Sequence, residues 1–334
     1  MILKTSAYIY LLCLFACSKP NVDNGINPPT KPSDLPAYNI ALADPTIFTD
    51  NGKYYLYGTS GDVGFEVYES TDMVNWKGPV GKNKGYALSK GEAFGTTGFW
   101  APQVFKYQNT YYMAYTANEQ IAIAKSDSPL GPFKQSEIKS LAGNGKQIDP
   151  FIFFDTDGKP YLYHVKLQNG NRIFVSEMKA DLSDVLKETA VECISASLPW
   201  ENTEMVAWPV AEGPTVIKFK NLYYMIYSAN DFRNKDYAVG YATSPSPTGP
   251  WKKFEGNPIV SRATLKLNGT GHGDLFLDQS GAYKYVMHTH NTNTQVSPRL
   301  TGLIDMKFQK IKDGEAEVLQ ADPATFKLLK SVLP

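Results

Sequence analysis

Four short phrases hold the residues that could do chemistry: Asp44-Pro45, Asp149-Pro150, Glu212-Gly213-Pro214 and Gly271-His272-Gly273. A fifth, Ala101-Pro102, has the same outline with an apolar residue at its head. Asp is depleted in strands, so acids that repeatedly open strand-like runs need a reason beyond the habit of Asp-Pro to start a turn. If the phrases are equivalent, Asp44, Ala101, Asp149, Glu212 and His272 face one place. Three carboxylates and an imidazole then share a pocket. Neighbouring carboxylates push their pKa values apart, which leaves an acid and a base at neutral pH. That combination suits cleavage of a glycosidic bond. One group protonates the leaving oxygen, and another activates water or attacks the sugar. Pro214 restricts the turn that carries Glu212.

The elements that must position these groups are repeats. Each phrase opens an apolar run, then a polar turn, then an aromatic run. The turns are Asn51-Gly52, Gln108-Asn109, Asp157-Gly158, Lys220-Asn221 and, in a weaker copy, Ser280-Gly281. The aromatic runs follow at 54–57, 111–115, 161–163, 223–227 and 283–286. These are hairpin signals. Most intervals hold a further strand pattern, at 65–70, 121–126 and 239–244. Repeats of this length indicate a propeller or solenoid. Four strands per unit and five units predict an all-β, five-bladed β-propeller in a single domain. No run of helical period interrupts them. Residues 303–308 and 317–319 read as closing strands, leaving no room in the sequence for a further C-terminal sandwich.

The chain has 334 residues with 33 basic and 33 acidic side chains, so charge gives no case for a nucleic-acid partner. Aromatic residues make up 13%, which suits strands and also sugar handling. Lys4 precedes an apolar stretch at 7–16 that is too short to span a bilayer as a mature anchor. Leu14-Phe15-Ala16-Cys17 resembles a bacterial lipobox. That resemblance implies a signal peptide over 1–17 and a lipid on Cys17. A plain secretory signal is the alternative. Residues 18–36, rich in Pro, Asn and Lys, read as a flexible tether, and 37–334 as the propeller. Only Cys193 lies beyond the signal, so no internal disulfide is expected. It reads as a small buried apolar residue rather than a nucleophile.

Taken together, Asp44-Pro45, Phe99-Trp100-Ala101-Pro102, Ile148-Asp149-Pro150, Ala211-Glu212-Gly213-Pro214, Tyr227-Ser228-Ala229-Asn230 and Gly269-Thr270-Gly271-His272-Gly273 resemble glycoside hydrolase family 43. The likeness runs in order over nearly the whole chain after the tether. It implies a five-bladed propeller and single-displacement hydrolysis with inversion. It implies Asp44 as general base, Glu212 as general acid, and Asp149 as a third carboxylate that orients Glu212 and raises its pKa. Inversion sets the two reacting carboxyls about 6.5–9.5 Å apart. His272 would lie near the axis, either touching a structural calcium ion, as in several members, or hydrogen-bonding a carboxylate. Calcium prefers oxygen donors, and the chemistry itself requires no cofactor.

Trp100 is expected to stack on sugar, and Arg299 resembles the family's late arginine that binds the sugar at the scissile position. His288 and His290, at strand spacing, share a face but lack an obvious third metal ligand. They and His164 read as strand or loop residues. Glu201 and Glu204 are secondary candidates for the rim. The implied substrate is an arabinose- or xylose-containing plant polysaccharide or oligosaccharide, cleaved by an α-L-arabinofuranosidase or β-xylosidase. An endo-arabinanase and a carbohydrate-binding propeller without catalysis are the alternatives. A retaining hydrolase of the invertase type has no matching motifs. The expected partner is the sugar alone, for a monomer that meets the membrane only through its lipid, as a bacterial outer-membrane lipoprotein.

Overall fold

Five sheets, antiparallel apart from one strand pair in the first, make up the chain. The structure is a computed structural model and describes residues 37–143, 145–311 and 316–332. The signal, Cys17 and the tether lie outside the described residues. Blade one is built on Ala43–Asp50, Lys53–Thr59 and Gly64–Ser70, and blade two on Trp100–Tyr107, Thr110–Ala117 and Gln120–Ser126. Blade three comprises Gln147–Phe154, Pro160–Leu167, Asn171–Glu177 and Val191–Ser195. Blade four comprises Ala211–Phe219, Leu222–Ala229, Ala238–Ser244 and Lys252–Lys253. Blade five comprises Gly271–Leu277, Tyr283–Thr289, Leu300–Gln309 and Val318–Leu328. The fold is the all-β propeller that the repeats predict, one blade per repeat.

The aromatic runs are continuous because both faces of each second strand are buried. Side chains alternate across a strand, so neighbours in sequence serve opposite cores. Tyr57 packs with Phe65, Phe99 and Tyr115 between blades one and two, while Leu56 packs with Val286 and Leu303 towards blade five. In blade four, Met225 and Tyr227 join the core shared with blade three, and Tyr224 and Ile226 the core shared with blade five. Blades two and three meet through Tyr112, Ile123, Ile152 and Leu162. Five hydrophobic clusters thus fill the five gaps between blades.

The closing strands differ in part from expectation. Leu300–Gln309 and Val318–Leu328 complete blade five, but the ring is sealed by Lys330–Val332. This last strand lies in blade one, antiparallel to Ala37–Asn39 and parallel to Trp76–Lys77. Thr301 reinforces the seam: its hydroxyl donates to the Leu42 carbonyl (2.9 Å) and its N–H donates to the Ile40 carbonyl (2.9 Å).

Each innermost strand breaks its ladder where its motif begins. The register shifts fall between Ala43 and Thr46, Trp100 and Gln103, Ile148 and Phe151, Glu212 and Thr215, and Gly271 and Gly273. Asp44, Ala101, Asp149, Gly213 and His272 sit in these bulges with φ of 47, 44, 55, 62 and 38°. The proline that follows four of them has no N–H to leave unpaired at the bulge. Left-handed backbone at four residues other than glycine is strained, so the surroundings must hold it.

Candidate active site

What holds the bulges is one device used repeatedly. A polar side chain on the second strand of one blade accepts the N–H of the bulged residue in the next. Thr59 Oγ1 accepts from Ala101 (3.0 Å), Thr116 Oγ1 from Asp149 (2.9 Å), Ser228 Oγ from His272 (2.8 Å) and His288 Nδ1 from Asp44 (3.2 Å). Blade three has Val165 at this place, paired with Ile148 just before the bulge. Valine has nothing to offer, and the Gly213 N–H instead donates to Asp149 Oδ2 at 3.2 Å. Gly213 has no room to change: a Cβ there would lie 2.8 Å from the His272 ring.

This register corrects one expectation. The bulged residue of blade four is Gly213, so Glu212 is not equivalent to Asp44 and Asp149. It matches Ala43, Trp100, Ile148 and Gly271, one place earlier. Glu212 still reaches the site, because residues from both tiers line one pocket. Asp44, Asp149 and His272 come from the bulges, and Trp100, Ile148 and Glu212 from the place before. Trp208, Asp231, Phe232 and Arg299 help to complete the walls of a cavity of about 570 Å³.

The carboxylates have separate partners. Asp44 Oδ2 accepts from Thr59 Oγ1 (2.7 Å), and Asp44 Oδ1 accepts from Arg299 Nη1 (2.9 Å). Glu212 Oε1 accepts from the Tyr237 hydroxyl (2.8 Å), and Oε2 from Asn171 Nδ2 (2.8 Å). His272 Nδ1 lies 3.5 Å from Asp44 Oδ1 and 3.8 Å from Asp149 Oδ2. All three carboxylates are buried.

The family model of glycosyl hydrolases family 43 matches residues 34–312. The chain belongs to this family. Family 43 enzymes hydrolyse glycosidic bonds with inversion, and the chain is a glycoside hydrolase of this kind. An endo-1,4-beta-xylanase from Bacteroides thetaiotaomicron is 38% identical in structure-based comparison, with a TM-score of 0.81 over 89% of this chain and 99% of that one. A beta-D-galactofuranosidase of Aspergillus niger is 25% identical over 82% of this chain and 81% of its own length. A xylosidase/arabinosidase of Bacteroides ovatus is 26% identical over 67% of this chain and 80% of its own.

The electrostatics of this family 43 site divide the acids. Burial alone would raise the Asp44 carboxyl, but Arg299, His272 and His288 together hold it well below the usual carboxylate range. Burial raises Glu212 to about 7, against the pull of the Tyr237 and Asn171 hydrogen bonds. Burial and then Glu212 push Asp149 well above its ordinary value. The repulsion is reciprocal, so it belongs to the pair. Asp149 was expected to orient Glu212, and what it grips is the Gly213 backbone beside it. Burial pulls the His272 imidazole down, against the opposing pull of Asp44.

Arg299 is clamped between Asp44 and the Phe232 ring, whose centroid lies 4.4 Å from Cζ. Trp100 presents its ring, 37% exposed, to the pocket. His288 lies on the second strand of blade five and His290 just past its end, and each has its own partner. His288 serves Asp44, and His290 Nε2 bonds the Phe232 carbonyl (2.8 Å). Glu201 does not reach the rim: it is fully buried on Lys253 and Tyr227. Glu204 lines a neighbouring lobe of about 470 Å³. His164 is buried beside Phe174, away from the pocket. Cys193 packs against the core between blades three and four, where burial pushes its thiol up to about 12.

The axial space past the bulges is bordered by Gln103, His272 and Asp274. It measures about 20 Å³. The Gln103 amide is spent on the Ile152 backbone (3.1 and 2.6 Å), and Asp274 accepts from Thr215 Oγ1 (2.7 Å). Among the described residues no group of three or more His, Cys, Asp or Glu is arranged to hold a metal.

Sequence reading missed Asn171, Tyr237, Trp208 and Phe232. They come from third strands and loops that carry no repeat signal. The offset of Glu212 did have a signal: counting back from Pro214 places Gly213, not Glu212, directly before proline.

Proposed function

We propose that this family 43 hydrolase cleaves terminal or short-chain arabinofuranosyl or xylosyl linkages in plant polysaccharide, as an α-L-arabinofuranosidase or β-xylosidase. The observation that carries the reading is one pocket holding an acid kept ionised and an acid kept protonated. Asp44 takes a proton from water as that water attacks the anomeric carbon. Glu212 gives its proton to the departing oxygen as the glycosidic C–O bond breaks. Solvent then restores both groups. Asp149 holds the backbone of the acid in place, and Arg299 and Trp100 bind the sugar. The names of the relatives, a xylanase, a xylosidase/arabinosidase and a galactofuranosidase, support pentose and furanose substrates.

The test is a panel of p-nitrophenyl arabinofuranoside, xyloside and galactofuranoside, repeated with Asp44→Asn. Loss of about 10²–10⁴-fold is expected. NMR of the first-formed sugar is expected to show inversion, and retention would overturn the mechanism. Sugar binding without any cleavage would favour a binding propeller instead. The lobe beside Trp208 gives room for a longer chain, which keeps endo-arabinanase as the second reading. Release of internal fragments from linear arabinan decides between them.

We also propose that Cys17 carries lipid and tethers a monomer to the bacterial outer membrane. Cys17→Ala is expected to move the protein from the membrane to the soluble fraction. Membrane retention of the unlipidated form would remove the idea.

A further inference from the structure

Trp208 stands at the pocket wall with 49% of its surface exposed, and the same side chain lines the neighbouring lobe. Its indole Nε1 donates to Asn171 Oδ1 at 3.0 Å. Asn171 Nδ2 in turn donates to Glu212 Oε2 at 2.8 Å. An indole N–H can only donate, and an amide NH₂ can only donate. The first fact fixes which end of the Asn171 amide faces the tryptophan. The second follows from it: the amino end faces Glu212, so the Glu212 proton cannot lie on the line to Asn171. It must sit elsewhere on the carboxyl, for example at Oε1, where the Tyr237 hydroxyl can donate or accept.

The loop before Trp208 is pinned. Buried Glu201 accepts the N–H groups of Ser197 (2.6 Å) and Leu198 (2.7 Å), with Lys253 Nζ at 2.6 Å. Asn230 Oδ1 accepts the Thr203 N–H (2.9 Å). An exposed aromatic on an anchored loop is a fixed wall.

We propose that Trp208 is a positioning residue for the general acid: through Asn171 it sets the side on which Glu212 presents its proton, and its ring is the wall met by the leaving group. The proposal rests on Glu212 being the acid, as argued above. As the proton departs, the Asn171 bond to Oε2 becomes charge-assisted and stabilises the new carboxylate. That help matters most for a leaving oxygen that needs a proton. The other charged or titratable groups of the pocket around Glu212 are Asp44, Glu119, Lys146, Asp149, Asp231, Arg233, Tyr237, His272 and Arg299.

The experiment compares phenyl and 2,4-dinitrophenyl glycosides of the sugar that the wild type cleaves. Trp208→Phe keeps a ring and removes the N–H. It is expected to lower kcat/KM about tenfold on the phenyl glycoside and less than about twofold on the dinitrophenyl one. The alkaline limb of the pH profile is expected to move upward, because an Asn171 amide no longer fixed by the indole stops holding its donor on the ionised form of Glu212. Asn171→Ala is expected to behave alike, and melting curves confirm that both variants fold. Glu212→Gln is the separate check. If it leaves phenyl glycoside cleavage intact, the assignment of Glu212 fails. If Glu212→Gln is selective for the phenyl substrate but Trp208→Phe and Asn171→Ala lower both substrates equally, or neither, the coupling is overturned and Glu212 keeps its role.

Discussion

At the scale of single residues, burial and charge do the sorting. Asp44 and Glu212 are comparably buried, yet one is driven down and the other up, because Arg299, His272 and His288 act on Asp44 and not on Glu212. Activity is therefore expected to fall as pH rises through about 7, where Glu212 loses its proton, and to persist well into the acid range, where Asp44 stays ionised. A pH profile of kcat/KM reads both limbs. The same shift has a consequence for stability. A carboxyl whose folded pKa is raised above its unfolded value favours the folded state when protonated, so stability falls as pH rises from the unfolded value towards about 7. Glu212→Gln removes the ionisable group. It is expected to be more stable than wild type at pH 8 by roughly 2–3 kcal/mol while losing activity, and to match wild type at pH 4. Equal melting temperatures at pH 8 would show that the raised pKa is not there.

At the scale of elements, the bulge and its acceptor form the repeating unit. Thr116 and Ser228 are fully buried and each takes the N–H of a strained residue, Asp149 or His272. Thr116→Val and Ser228→Ala leave that N–H without a partner. Each is expected to cost about 1–3 kcal/mol, and to lower activity by releasing the bulge. Denaturant melts and kcat measure the two effects. If stability falls and kcat does not, the bulge is held by its strand neighbours alone. The junction after blade three shows the logic from the other side. With Val165 in the acceptor's place, the Asp149 carboxylate supplies the missing acceptor and becomes tied to the backbone next to Glu212. That tie explains why an acid at this place can serve Glu212 without bonding its carboxyl.

At the scale of the whole molecule, the ring is held by five inter-blade cores and one seam. The seam joins blade five to blade one, and Asp44 lies beside it: its N–H and its Arg299 partner depend on blade five and the loop that follows its second strand. Deleting residues 330–334 removes the strand that seals blade one. The truncated protein is expected to melt at a clearly lower temperature and to lose activity in parallel. Unchanged activity would mean that the seam and the site are independent.

The repeats were legible because alternation is local: Tyr223 to Tyr227 must serve two cores, and a strand buried on both faces has to be apolar throughout. From that, the chain order of the acids determined five blades and a shared centre for Asp44, Asp149 and His272. What the chain order could not decide was register across blades. One residue of offset, absorbed by Gly213 at φ 62°, puts Glu212 on the other tier of the pocket. Nor could it decide which side chains surround each acid. Arg299 is 255 residues from Asp44 and Asn171 is 41 from Glu212, and both meet their partners only once the ring closes. Residue type gives a carboxyl its capacity for acid or base chemistry. The neighbours that select between the two arrive from distant segments, through packing that no local pattern encodes.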